Sequence, residues 1–98
     1  MYTLITAAAS AQAYQLKNRL NSEMIILGDY LELPALMLAK GTMIKLPNPA
    51  SPSYTHEMLT LCLDRQITCV YILRDEENAL LSNVRQLFEE YGINLVHS

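Results

Sequence analysis

Short apolar runs rich in β-favouring residues alternate with helix-like segments along the whole chain, and this alternation restricts the fold more than any other feature. Strand-like runs cover residues 2–7, 23–28, 42–46, 67–73 and 93–96. Helix-like segments cover residues 11–20, 33–38, 52–65 and 76–91, so the connecting loops are short. Such alternation favours right-handed crossovers between parallel strands. The sequence therefore predicts an α/β, Rossmann-like domain with three layers and a mostly parallel sheet of about five strands.

Residue types that are typical of helix ends mark several boundaries. Ser10, Ser51 and Asp75 are predicted as N-caps, because their side chains accept a hydrogen bond from an amide of the first turn. Pro52 would then occupy the first helical position, where its missing amide costs no hydrogen bond. Glycine is a common helix stop, and it follows two helix-like segments, at Gly41 and Gly92.

The last helix-like segment has the clearest amphipathic pattern. Apolar residues recur at intervals of three and four in one stripe, at Leu80, Leu81, Val84, Leu87, Phe88 and Tyr91. This spacing places them on one side of a helix. It predicts one continuous helix that packs the whole stripe against the sheet.

Composition limits the number of domains and the classes of partner. The 98 residues are 51% hydrophobic, which suffices for one small core, so residues 1–98 are treated as a single domain. With a formal net charge of -3 and no basic block, we expect no nucleic-acid partner. No apolar run approaches the roughly 20 residues that span a bilayer, and no basic segment precedes the first run. We expect a cytoplasmic protein with no membrane partner.

The cysteines and histidines indicate neither a metal site nor a catalytic site. Cys62 and Cys69 lie in apolar segments without a CxxC spacing, which favours reduced, buried thiols. His56 and His97 have no Cys, Ser or acid at a spacing typical of catalysis or metal ligation. We therefore predict no catalytic residues, no metal and no cofactor.

Residues that directly follow the strands are the candidates for a binding site, because open parallel sheets bind ligands beside the carboxyl ends of their strands. Asp29 follows the second strand, about 20 residues after the first loop, where a dinucleotide site carries its ribose-binding acid. The candidate ligand-binding residues are Thr6, Ala8, Ser10, Asp29, Asn48, Arg74, Asp75 and Glu76.

Two of these regions allow two interpretations each. The first loop carries alanines where a dinucleotide site carries glycines, and alanine disfavours the backbone conformations that bring a loop close to phosphate. Thr6 and Ser10 could bind an anion, or Ser10 could act only as a cap. Arg74 could anchor an anion beside a hydrogen-bonding or metal-facing rim of acids at 75–77, or these acids could be a solvated helix start that the helix dipole favours.

Taken together, three stretches of the chain resemble the pre-ATP-grasp domain that precedes the ATP-grasp module in carbamoyl-phosphate-synthase-like and carboxylate-amine ligases. The first is LITAAASA at residues 4–11, where relatives carry Thr-Gly and further glycines. The second contains Gly28-Asp29, LAKG at residues 38–41 and the Pro47-Asn48-Pro49 loop. The third runs from Ser51-Pro52 through the strand at residues 67–73 and the acids at 75–77 to Gly92.

This resemblance implies that the ATP-binding lysines and magnesium-binding acids of the family lie in an ATP-grasp module beyond Ser98. The expected function is a free-standing, non-catalytic binding or assembly module that forms a homodimer or joins a separate ATP-grasp subunit. The alternative is a Rossmann-like domain that binds a nucleotide or small metabolite in the carboxyl-end crevice. An independent hydrolase or transferase is the least favoured, because no nucleophile, base and orienting group occur together.

Overall fold

Five strands and five helices make up the part of the chain that the computed structural model describes, residues 2–20, 24–41 and 43–97. The strands are β1 (Tyr2–Ile5), β2 (Ile25–Asp29), β3 (Met43–Lys45), β4 (Ile67–Ile72) and β5 (Asn94–His97). The helices are α1 (Ala11–Leu20), α2 (Ala35–Ala39), α3 (Tyr54–Asp64), α4 (Asp75–Ser82) and α5 (Arg85–Glu90). The predicted strand starts at Glu23 and Thr42 lie outside the described residues. Among the described helices, none has the length and apolarity needed to cross a membrane.

All five strands are parallel and form one sheet in the order β3-β2-β1-β4-β5. The chain builds outward from β1 to β3, then crosses back to place β4 on the other side of β1. The strand order therefore reverses between β1 and β4, which is the position where ligands bind in open α/β sheets. This topology confirms the predicted parallel α/β fold, and it brings the carboxyl ends of β2, β1 and β4 side by side.

Two apolar clusters cover the two faces of the sheet, which confirms the predicted layers. On one face, α3 and α5 bury Tyr54, Met58 and Phe88 against β1, β4 and β5. On the other face, Ala13 and Leu16 of α1 pack with residues of β1, β2 and β3.

Two of the three predicted N-caps are wrong and one is confirmed. The Ser10 hydroxyl accepts a hydrogen bond from the Ala13 amide at 3.3 Å, so Ser10 caps α1. The helix predicted from Pro52 begins two residues later, because the Tyr54 amide donates to the Ser51 carbonyl at 3.1 Å in a turn. Asp75 is already inside α4, and no side chain caps that helix.

The predicted single last helix is broken at residues 83–84 into α4 and α5. Phe88 is fully buried, whereas Leu87 is 42% exposed and Tyr91 is 55% exposed. Because of the break, α5 does not continue the direction of α4. Of the apolar residues in the second half of the predicted stripe, only some are therefore buried. Gly92 follows α5 with a φ of 76° and Gly41 follows α2 with a φ of 74°, which confirms both as helix stops.

Gln66 has the left-handed conformation that usually selects glycine after a helix. It follows α3 with a φ of 58°, and its side chain is exposed. Gln66→Gly should therefore raise the free energy of unfolding by about 0.5–1 kcal/mol, because it relieves the contact between Cβ and the backbone. Urea unfolding measures this change. The matched control is Gln86→Gly inside α5, which should lower stability by about 1 kcal/mol. Destabilisation by both variants would contradict the assignment of strain to Gln66.

Candidate functional site at the carboxyl ends of the strands

The first loop, between β1 and α1, directs its backbone amides into the protein. Ala7 has a φ of 55°, a conformation that disfavours residues with a side chain. The next two amides bind acceptors at the end of β2: Ala8 donates to the Gly28 carbonyl at 3.0 Å, and Ala9 donates to Asp29 Oδ2 at 3.2 Å. These amides are engaged by the protein itself, whereas a phosphate-binding loop presents its amides to the ligand.

Asp29 lies at the end of β2, where it is fully buried and surrounded by donors. One guanidinium nitrogen of Arg74, Nη2, contacts both carboxylate oxygens, at 3.1 Å to Oδ1 and 3.0 Å to Oδ2. The Leu31 amide donates to Oδ1 at 3.3 Å, and the Ala9 amide donates to Oδ2. Asp29 therefore ties the ends of three chain segments together, and its carboxylate is already hydrogen-bonded where a ribose-binding acid would face its ligand.

Arg74 follows β4 and lies over the Tyr30 ring, with 5.1 Å between Cζ and the ring centroid. Burial lowers the pKa of the Arg74 guanidinium, but the hydrogen bond and charge of Asp29 outweigh this effect and raise it. The Tyr30 hydroxyl donates to Glu76 Oε1 at 2.9 Å, and this hydrogen bond raises the pKa of Tyr30. Arg74 is thus held on two sides while 25% of its side chain remains exposed.

Thr6 and Glu77 lie beneath this layer, at the point where the strand order reverses. The Leu73 amide donates to Thr6 Oγ1 at 2.9 Å, which joins the ends of β1 and β4. Glu77 is fully buried in the first turn of α4, and neither carboxylate oxygen has a hydrogen-bond partner within normal geometry. Burial raises the pKa of Glu77 to about 7, although the Thr6 hydroxyl and Arg74 favour its ionised form.

The structure brings four of the eight predicted site residues together, namely Thr6, Asp29, Arg74 and Glu76. The other four have separate local roles. Ser10 caps α1, and buried Ala8 lines a groove beside α2. Asn48 accepts a hydrogen bond from the Ala50 amide at 2.9 Å within its own loop, and Asp75 is 98% exposed, 3.4 Å from His97. Ligand binding by any of these eight residues stays a prediction.

Glu77 is the residue of this edge that is absent from the predicted site residues, since it was considered only as one of three acids that form either a polar rim or a solvated helix start. A signal was present in the spacing. Glu77 precedes Leu80, Leu81 and Val84 by three, four and seven residues, so it occupies the first position of the apolar stripe. A carboxylate in that position is directed toward the core.

A groove of about 440 Å³ lies beside the first loop and is mainly apolar. It is lined by Ala8, Ala9, Tyr14, Glu32, Leu33, Pro34, Met37 and Met43. The adjacent helix α2 has the sequence ALMLA, yet none of its five side chains is fully buried. Leu36 is 65% exposed and Leu38 is 39% exposed, so this part of the surface is unusually apolar.

Groups for metal binding or thiol chemistry are not assembled in the described part of the chain. No cluster of three His, Cys, Asp or Glu residues that could hold a metal ion occurs within residues 2–20, 24–41 and 43–97. Both cysteines are free thiols, and Cys62 is buried in α3. Burial raises the pKa of the Cys62 thiol to about 12, which makes it unreactive as a nucleophile at neutral pH.

The fold and this edge define a Rossmann-like α/β domain whose carboxyl-end crevice is crossed by an internal Asp–Arg pair. L-threonine 3-dehydrogenase from Trypanosoma brucei has a similar fold, with a TM-score of 0.60 and 16% sequence identity. The match covers 97% of this chain and 35% of the dehydrogenase, so the chain spans about a third of the length of that protein. At this identity the similarity concerns the fold alone. A comparison with curated protein sequences gives no significant match.

Residues 4–96 match a protein family that is described as PylC-like, N-terminal domain. The match covers nearly the whole chain. This chain belongs to the PylC-like N-terminal domain family, which confirms the resemblance to pre-ATP-grasp domains that the sequence predicts.

Proposed function

We propose that this domain is a non-catalytic binding and assembly module that packs against an ATP-grasp module, on the same chain or on a separate one. The observation that carries the proposal is helix α2, which is apolar throughout and has no fully buried side chain. Monomeric proteins rarely leave a continuous apolar surface open to water, and such surfaces mark contacts with other proteins. Membership in a family described as an N-terminal domain supports a neighbouring module as the occupant.

The composition of the surface near α2 suits a permanent contact. Leu31 is 43% exposed just before the helix, and the apolar groove lies on the other side of Pro34. Among the described residues that line that groove, Glu32 alone is charged. Interface cores are depleted in charge and enriched in large apolar residues. We therefore expect a matching apolar segment of the partner to be buried against α2 and the groove.

The alternative, a nucleotide-binding or metabolite-binding domain, has less support at the predicted crevice. Asp29 is hydrogen-bonded by Arg74 and by two amides, and the amides of Ala8 and Ala9 are engaged. A nucleotide would have to replace these contacts at a cost in binding free energy. Thermal-shift measurement with adenine nucleotides and amino acids tests this alternative, since a ligand at a hundred times its Kd stabilises the protein by about 2.7 kcal/mol.

Leu36→Glu should abolish or strongly weaken association, because it places a charge in the proposed apolar contact. We expect the Kd for an added PylC-like ATP-grasp module to increase at least tenfold, about 1.4 kcal/mol, as measured by isothermal titration calorimetry. Light scattering on the domain alone tests the predicted homodimer at the same surface. The matched control is Leu63→Glu on α3, where the leucine is 46% exposed. Equal binding by both variants, or no binding by the unmodified domain, would overturn the proposal.

A further inference from the structure

The carboxyl-end edge contains two fully buried carboxylates and one guanidinium. Asp29 and Glu77 each have a relative exposure of 0%, and the charge of Arg74 acts on both of them. Burying an uncompensated charge is costly, and such a group takes up a proton instead. One cation compensates one carboxylate fully, so the charge balance of this edge leaves one negative charge in excess.

The hydrogen bonds determine which carboxylate is compensated. Arg74 Nη2 contacts both oxygens of Asp29, and two backbone amides complete that shell. Both oxygens of Glu77 are buried with no hydrogen-bond partner within normal geometry, as is Arg74 Nε, and only weaker contacts with the Thr6 and Tyr54 hydroxyls reach Glu77. The guanidinium is thus committed to Asp29 through its hydrogen bonds, and Glu77 receives only a longer-range electrostatic effect from it.

The groups facing Glu77 come from every element packed around it. Thr6 follows β1, Tyr54 begins α3, and Arg74 precedes α4. Asp29 at the end of β2 and Glu76 on α4 itself both add negative charge. The Tyr54 hydroxyl is buried without a hydrogen-bond partner, and its pKa is raised first by burial and then by Glu77. Tyr54 therefore stays neutral and supplies no compensating charge.

We propose that Glu77 is a proton-operated latch: as a neutral acid it allows the start of α4 to pack onto the β1 and β4 ends, and loss of its proton to solvent loosens that packing. Arg74 directly precedes α4, so a movement at the start of α4 also changes the position of Arg74 at the carboxyl-end edge. Ionised Glu77 gains hydration only if the first turn of α4 moves outward.

The direction of the pH dependence follows from where the proton binds more tightly. Glu77 has a pKa of about 7 in the folded protein against an ordinary value of 4.5, so the folded state keeps a proton that the unfolded chain releases. The stabilising contribution of the neutral acid is fully present below pH 4.5 and is lost as the pH rises through about 7. Between pH 5 and pH 8 the folding equilibrium constant should fall by about 50- to 100-fold from this residue alone.

Glu77→Gln mimics the neutral acid without a titrating proton, so it should remove this decrease between pH 5 and pH 8. Urea unfolding at several pH values measures the equilibrium constant. The matched control is Glu76→Gln, one residue earlier and exposed, which should keep the pH dependence of the unmodified domain. An equal decrease in Glu77→Gln and the unmodified domain would overturn the proposal.

A second measurement uses the unmodified protein and does not depend on folding of a variant. Carbon-13 NMR of the glutamate carboxyl carbons follows each acid through its titration. The Glu77 resonance should titrate near neutral pH, and the protection of the amides in the first turn of α4, relative to their intrinsic exchange rate at each pH, should fall over the same interval. Titration of Glu77 in the ordinary glutamate range, or exchange at α4 that does not follow it, would contradict the latch.

Discussion

Asp29→Ala is expected to destabilise the domain by about 3–4 kcal/mol, a large part of the stability of a domain of this size. The substitution removes the carboxylate that binds Arg74 at 3.0 and 3.1 Å and accepts from the amides of Ala9 and Leu31. Those amides lose their acceptor, and the guanidinium loses its counter-charge. Because Arg74 is 25% exposed, water compensates part of that loss, which keeps the effect near the lower end for buried pairs. Urea unfolding measures the change.

The control for Asp29 is a carboxylate in the same region that makes no buried contact. Asp75 is 98% exposed, and its ion pair with His97 is a surface pair at 3.4 Å. Asp75→Ala should change stability by less than about 0.5 kcal/mol. Asp29→Asn is a second test, since the amide oxygen retains an acceptor while the charge is lost, and it should fall between the two. Similar stability of Asp29→Ala and Asp75→Ala would show that the pair with Arg74 does not hold the edge together.

Asp29 and Arg74 could be selected from the sequence because each directly follows a recognisable strand. Parallel strands end at the same edge, so residues that are 45 positions apart in the chain become neighbours once the sheet is parallel. What the sequence could not supply was the partner of each group. A carboxylate at a strand end is equally compatible with a ligand hydroxyl and with an internal arginine, and only the three-dimensional position of Arg74 distinguishes them.

Residue types that predict the start of a helix were less informative where a neighbouring hydrogen bond stabilised a different local structure. Ser51-Pro52 is a strong helix start, yet the Asn48 side chain and the Ser51 carbonyl form turns that delay α3 to Tyr54. Asp75 is a good capping residue, but α4 begins one residue earlier than its side chain could cap. The Ser10 hydroxyl donates to the Ala7 carbonyl at 2.8 Å and still accepts from the Ala13 amide, so at this position the predicted cap forms. The helix propensity of a residue determines where a helix begins or ends only when the tertiary contacts favour neither alternative.

The last helix illustrates the limit of a periodic pattern. The stripe predicts that Leu87 and Phe88 both face the core, but the break after Asn83 gives α5 its own orientation. The Phe88 carbonyl accepts from the amides of Tyr91 and Ile93, so α5 ends close to β5. Packing of this short helix against β5 fixes which single aromatic residue is buried, and spacing alone does not contain that information.

Phe88→Ala should therefore destabilise the domain by about 3–5 kcal/mol, enough to leave a substantial unfolded population at 37 °C. Phe88 is fully buried in the cluster that contains Tyr54, Met58 and Ile93. Removing its ring leaves a cavity that these neighbours fill only partly, and it also removes the apolar contact that holds α5 to the sheet. Thermal and urea unfolding followed by circular dichroism measure the loss.

Leu87→Ala is the matched control, because it shortens an apolar side chain at the adjacent position of the same helix. Leu87 is 42% exposed, so the substitution removes little buried area, and alanine has a slightly higher helix propensity than leucine. We expect a change below about 1 kcal/mol. The difference between the two variants tests the break between α4 and α5 directly. If the chain formed the continuous helix that its stripe predicts, Leu87 would be buried as well, and both variants would be destabilised to a similar extent.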